Sequence, residues 1–177
     1  MNPRRTTAAV LGAVVLTAGL ATISASPAYA DPCHGTRSLE LDRTFTIDAR
    51  GGTIVDVEGS GRGIDLHPGD SIEVLETGGD IWAGVWFTGR NGPRGWEGWP
   101  APNDGKWPLP GANLYSLIGE FRARQTGYPQ GAFFLPGTGC IAVPSTGTTV
   151  LYLEPNDQTF SDNDGAFTAH LRVWKHV

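Results

Sequence analysis

Turn-forming residues interrupt this chain at short intervals, and that punctuation limits what it can fold into. Clusters of Gly, Pro, Asn and Asp stand at "RGG" (50–52), "HPGD" (67–70), "ETGGD" (76–80), "TGRNGPRG" (88–95), "PAPNDGKWPLPG" (100–111), "LPGTG" (135–139) and "PSTG" (144–147). Glycine supplies backbone angles that other residues avoid, and proline removes an N–H donor. None of the intervals left between the clusters carries an apolar stripe at helical spacing. They alternate instead: Ser71-Ile72-Glu73-Val74 and Phe167-Thr168-Ala169-His170-Leu171 have the two-residue period of a half-buried strand. Strands are expected near 44–48, 53–58, 71–76, 82–88, 114–122, 131–135, 148–154 and 166–174. About eight short strands with Gly-rich turns predict an all-β fold, a two-sheet antiparallel β-sandwich. The stretch 89–113 has no strand pattern, and a loop of that length is usually functional or disordered.

The first thirty residues read as a secretory signal peptide. Arg4 and Arg5 precede an Ala/Gly-rich apolar run over 8–23, and Ala28-Tyr29-Ala30 forms an A-x-A cleavage site. The bulky apolar residues of a twin-arginine signal do not follow the arginine pair, so general secretion is expected, with no membrane insertion. Residues 31–177 then form one domain. Setting Arg4 and Arg5 aside from the 13 basic residues leaves 11 against 18 acidic, a net charge of −7. An acidic secreted domain is a poor partner for nucleic acid or anionic lipid and suits divalent cations and neutral sugars. Cys33 and Cys140 are the only two cysteines. In an oxidising compartment they are expected to pair; the competing reading, a thiolate nucleophile, needs a positioned histidine.

The most chemically loaded stretch is "EPNDQTFSDNDGAF", Glu154 to Phe167. An EF-hand does not fit it. With Gly165 at the invariant glycine, the first and last ligand positions fall on Phe160 and Leu171, which cannot coordinate. The oxygen-rich side chains of Asp157, Asp162, Asn163 and Asp164 still suit a hard cation, and no His or Cys lies close enough to suggest zinc or copper. The competing reading is a solvated Asn/Asp turn. Five of the six tryptophans lie between 82 and 107. Trp82 and Trp86 alternate within an expected strand and read as core or half-buried. Trp96, Trp99 and Trp107 sit in the Gly/Pro-rich segment, where they either stack on a ligand or pack the loop. The histidines form no constellation, and no serine has the strand–elbow–helix context of a hydrolase nucleophile.

The series "GRGIDLHPGDSIEV", "TGGDIW", "GPRG", "LIGEF" and "LYLEPNDQTFSDNDGAFTAHLRV" resembles, in that order, the soluble bacterial galactophilic lectins and the wider set of lectin-like, galactose-binding β-sandwich modules. The resemblance covers roughly 53–177. It implies a calcium ion held by Asp157, Asp162 and Asn163, with backbone carbonyls from Thr159 and Trp82. It also implies a sugar that bridges the calcium with two ring hydroxyls and meets Asp157, Gln158, Thr159 and Asp162. This chain departs from that family in two places. The loop from Asp157 to Asp162 is shorter, and the family's sugar-binding His and Gln have no counterpart, since "WEGWPAPNDG" with Trp96 and Trp99 stands there instead.

The function expected is therefore a secreted, calcium-dependent, non-catalytic carbohydrate-binding protein whose partner is a glycan or cell-surface polysaccharide. Two alternatives remain open at this point. One is a calcium-stabilised module that binds a protein or cell-wall polymer; the other is a small secreted hydrolase.

Overall fold

The computed structural model describes residues 33, 35–56, 61–137, 139–144 and 147–177. The signal-peptide reading of 1–30 and His34 lie outside them. Nine strands run in chain order: β1 (Arg37–Asp48), β2 (Thr53–Ile54), β3 (Ser71–Trp82), β4 (Arg90–Asn91), β5 (Leu117–Ala123), β6 (Pro129–Phe134), β7 (Cys140–Ala142), β8 (Thr149–Pro155) and β9 (Asp164–His176). They form two antiparallel sheets. One has the order β1-β9-β3-β4, with β7 also paired to β3; the other runs β2-β8-β5-β6. The expected all-β, two-sheet sandwich is what the chain forms. Among the described residues, no helix is long and apolar enough to cross a membrane.

The alternation in the sequence decides which face of each strand turns inward. In β9, Phe167, Ala169, Leu171 and Val173 are fully buried, and the residues between them are half-exposed. Phe45 and Ile47 of β1, Ile72 and Ile81 of β3, Leu117 and Phe121 of β5, and Leu151 and Leu153 of β8 join them in one core. Each Val, Leu, Ile or Phe among them contributes roughly 1.5–3 kcal/mol when fully removed from water.

Two expectations about strand ends need correction. "ETGGD" does not break a strand. β3 continues through it to Trp82 because β9 offers a 13-residue partner, laddered from Ser71↔Trp174 to Trp82↔Asp164. The glycines suit this close packing: a Cβ on Gly79, which has φ +79°, would stand 3.0 Å from Phe167 Cα. Conversely, 82–88 is not a strand. The ladder with β9 ends at Trp82, and the chain turns there, with Gly84 at φ +72° and the Thr88 N–H donating to the Val85 carbonyl at 3.1 Å. Trp82 is accordingly 36% exposed and Trp86 85%, so neither is a core residue.

The two cysteines are joined in a disulfide. Cys33 precedes β1, at one edge of the five-stranded sheet, and Cys140 opens β7, which pairs with β3 beyond β9. The segment before β1 therefore crosses the end of the sheet, where the Ser71 hydroxyl donates to the Cys33 carbonyl.

Candidate functional site

The long connection between β4 and β5 is a hydrogen-bonded excursion anchored to the sandwich. Trp96 and Leu114, Trp99 and Leu114, and Ala101 and Ala112 are joined through their backbones. Asn156, at the end of β8 and fully buried, pins it down. Its Oδ1 accepts the Leu109 N–H at 2.9 Å, and its Nδ2 donates to the carbonyls of Leu109 at 3.0 Å and Asn113 at 3.2 Å. The Tyr115 N–H donates in turn to the Asn156 carbonyl. Tyr115 is the one non-glycine residue with a positive φ, at 63°, among the described residues. Such a conformation persists in a tyrosine only where the surroundings over-determine it.

Beyond Asn156 the chain forms the loop 157–163 before entering β9. Asp157 is buried. Its Oδ1 accepts the Thr159 N–H at 3.2 Å, but its Oδ2 has no partner. Asn163 is fully buried and held by both ends: its Nδ2 donates to the Ala49 carbonyl at 3.0 Å, and its own carbonyl accepts from Arg50 Nε at 2.8 Å. Its Oδ1 likewise has no partner. Buried polar atoms are almost always hydrogen-bonded, so two orphaned acceptors in one short loop call for a physical explanation. Asp162 is exposed and lies over the turn that follows β3; a Cβ on Gly84 would stand 2.6 Å from its Cγ.

The electrostatics agree with this crowding. Burial raises the Asp157 carboxyl above its ordinary range, the Thr159 and Gln158 amides and Asn163 oppose the shift, and the Asp162 charge adds to it. Burial also raises the Tyr115 phenol, with the charges of Asp157 and Asp162 behind it. Asp157, Asp162, Asn163 and Tyr115 thus share one small region.

The sequence-predicted site residues separate into three groups. Asp157, Asp162 and Asn163 come together, and Thr159 is tied to Asp157 through its backbone. Trp82 closes β3, paired with both Asp164 and Arg90, and the turn that Asp162 overlies begins just after it. Asp164 is exposed, with Arg50 and Arg90 each 4.0 Å from its carboxylate. Among the described residues, no group of three or more His, Cys, Asp or Glu gathers for a metal. The donor set here is two carboxylates, an amide oxygen and backbone carbonyls, which is the chemistry of a hard cation.

Trp96 and Trp99 stack on each other, with centroids 4.5 Å apart and planes 12° off parallel. Trp99 is 55% exposed, whereas Trp96 packs partly against the core. The run continues outward: Phe87 lies 5.7 Å from Trp96, and Trp86 lies 5.7 Å from Phe87. Trp107 turns the other way and meets Tyr115 edge-on at 6.0 Å.

A second polar group escaped sequence reasoning. Glu120 and Arg122 of β5 and Glu154 and Tyr152 of β8 share the face of the four-stranded sheet that turns away from the core, with Glu120 opposite Tyr152 and Glu154 diagonal to it. Both glutamates are buried. Arg122 binds Glu120 through Nε and Glu154 through Nη2, the latter at 2.8 Å, and its guanidinium lies 4.2 Å from the Tyr152 ring centroid. Alternation in "LIGEFR" places Glu120 and Arg122 on one face. The contribution of Glu154 appears only once β8 pairs with β5.

No protein-family model matches this chain, and no curated protein sequence matches it. Among solved structures, it is similar to one described as "EclA N-terminal domain; PllA-like lectin", at 19% identity and a TM-score of 0.41, with 78% of this chain and 98% of that chain covered.

Proposed function

We propose that this protein is a secreted, calcium-dependent saccharide-binding module with no catalytic role. The observation that carries the reading is the pair of buried, unpartnered oxygens, Asp157 Oδ2 and Asn163 Oδ1. A cation coordinated by this loop would give each of them a partner. Calcium would be held by the side chains of Asp157, Asp162 and Asn163, with backbone carbonyls from Thr159 and from the turn beginning at Trp82. Bound calcium supplies coordination for two sugar hydroxyls, and Gln158 and Thr159 lie exposed on the same loop to meet the ring.

A direct test is thermal melting of the mature protein. Calcium should raise the melting temperature, because a ligand that binds only the native state stabilises it by mass action. Retention on an immobilised glycan should disappear with a chelator. No calcium-dependent shift in melting, or retention that survives the chelator, would overturn the proposal.

The exposed aromatic run favours an extended ligand over a monosaccharide. Stacking on an indole face contributes about 0.5–1.5 kcal/mol, up to roughly tenfold in affinity. Trp99→Ala is therefore expected to weaken a polysaccharide by several-fold and a monosaccharide much less, with calcium binding unchanged. Calorimetry on both ligands checks this; equal losses would place Trp99 outside the ligand's path. The same aromatic run supports a second reading, in which calcium is structural and the partner is a protein or cell-wall polymer. Partner binding that persists after the metal is stripped would favour that one.

A further inference from the structure

A cleft of about 520 Å³, within the usual range of ligand sites, opens between the 105–108 turn and the outer face of the four-stranded sheet. Its walls include Trp107, Glu120, Arg122, Glu154, Asp157 and Gln158. Its charges do not balance. Glu120 and Glu154 are both buried, and the single guanidinium of Arg122 serves the two of them. Both ion pairs use Oε2, which leaves Oε1 of each carboxylate without a partner among the described residues. Asp157 also lines the cleft, but its charge is the one assigned to calcium, so the imbalance is counted on Glu120 and Glu154. Lys106 stands exposed on the rim and makes no ion pair among the described residues. Buried carboxylates are ordinarily paired, and inside this cleft two of them share one guanidinium while the only other cation stands on the exposed rim.

We propose that this cleft binds the ammonium group of a second saccharide unit, a hexosamine with a free amine, with Glu120 and Glu154 as its acceptors. An ammonium presents three donors and one charge, which matches two open carboxylate oxygens carrying one uncompensated charge. Trp107 offers an apolar ring surface beside them for the sugar. Asp157 belongs to both places, so a unit in the cleft would adjoin one at the calcium loop. The inference rests on the saccharide-binding reading for that first unit only.

The experiment is calorimetry, with calcium present, of a glucosamine tetramer with free amines against its fully N-acetylated counterpart. Charge-assisted bonds should make the free-amine tetramer bind about tenfold tighter or more. Glu120→Gln and Glu154→Gln should each remove most of that preference while leaving the calcium-induced melting shift in place. Equal binding of the two tetramers overturns the subsite. So does equal competition by a lysine-rich peptide, which would assign the cleft to a protein amine. If either variant fails to fold, the wild-type ratio decides alone. Calcium-dependent binding of neutral glycans without amine preference would sink the subsite and spare the proposed function. Amine-selective binding that ignores the chelator would do the reverse, and no saccharide binding at all would overturn both.

Discussion

Replacing Asp157 with asparagine should abolish the calcium-induced rise in melting temperature and, in the same molecule, make the calcium-free fold more stable. The first effect follows from the loss of the one buried carboxylate in the loop, whose charge offsets the dehydration of the ion. At a free calcium concentration about 100 times the dissociation constant, the wild type should gain about 2.7 kcal/mol. The variant should gain almost nothing. The second effect follows from burial. The wild-type chain buries two acceptors, Asp157 Oδ2 and Asn163 Oδ1, that complete no hydrogen bond among the described residues. An asparagine amide supplies a donor, and a buried polar group without a partner ordinarily costs about 1–3 kcal/mol.

The pH dependence of this pair of proteins has a definite sign. The folded-state value of Asp157 lies above its ordinary one, chiefly through burial. The native state therefore binds the proton more tightly than the unfolded chain does. Without calcium, wild-type stability should fall as pH rises from the ordinary aspartate range through the raised folded value, and the loss is complete above it. The difference between the wild-type and Asp157→Asn curves isolates that contribution. A flat difference over this window, or a variant less stable than the wild type without calcium, would show that the carboxylate is not under strain.

Removing the disulfide should be the most costly change outside the core. The Cys33→Ala/Cys140→Ala double variant closes no loop in the unfolded chain, where the native bond spans 107 residues. The chain-entropy model gives about 4–5 kcal/mol for a loop of that size, and measured losses for native disulfides run to about 2–5 kcal/mol. Part of the loss should be local. β7 has three residues, and its ladder to β3 is short. The midpoint of urea unfolding should shift strongly toward low denaturant. A shift below about 1 kcal/mol would mean that the strap before β1 is held by its packing alone.

Much of the sandwich is legible in the sequence because its longest strands keep their alternation throughout, as 166–174 does in β9. Three features defeat local reading. β4 and β7 have two and three residues, too few to carry a period. "ETGGD" has the composition of a turn, yet pairing with β9 holds it extended. The apolar residues of 82–88 imitate a strand, but the partner strand stops at Asp164, and the chain turns there with Trp86 in solvent. The oxygen-rich character of the loop 157–163 is legible because Asp157, Asp162 and Asn163 are close in sequence. The Glu120–Arg122–Glu154 group is not, since β5 and β8 must pair before Arg122 meets Glu154, 32 residues away.

The position of β9 has a consequence for the order of events in folding. It comes last of the strands among the described residues, yet it lies between β1 and β3, where it makes the most extensive pairing on both sides. Until residues 164–176 are available, β1 and β3 have no ladder between them, and the strand edges that β9 pairs remain unpaired. Nearly all the long ladders then join segments distant in sequence, a topology whose loop-closure entropy slows two-state folding toward the millisecond-to-second range. The five-stranded sheet therefore cannot be completed without β9, and the buried oxygens of the loop before it depend on that same strand being in place.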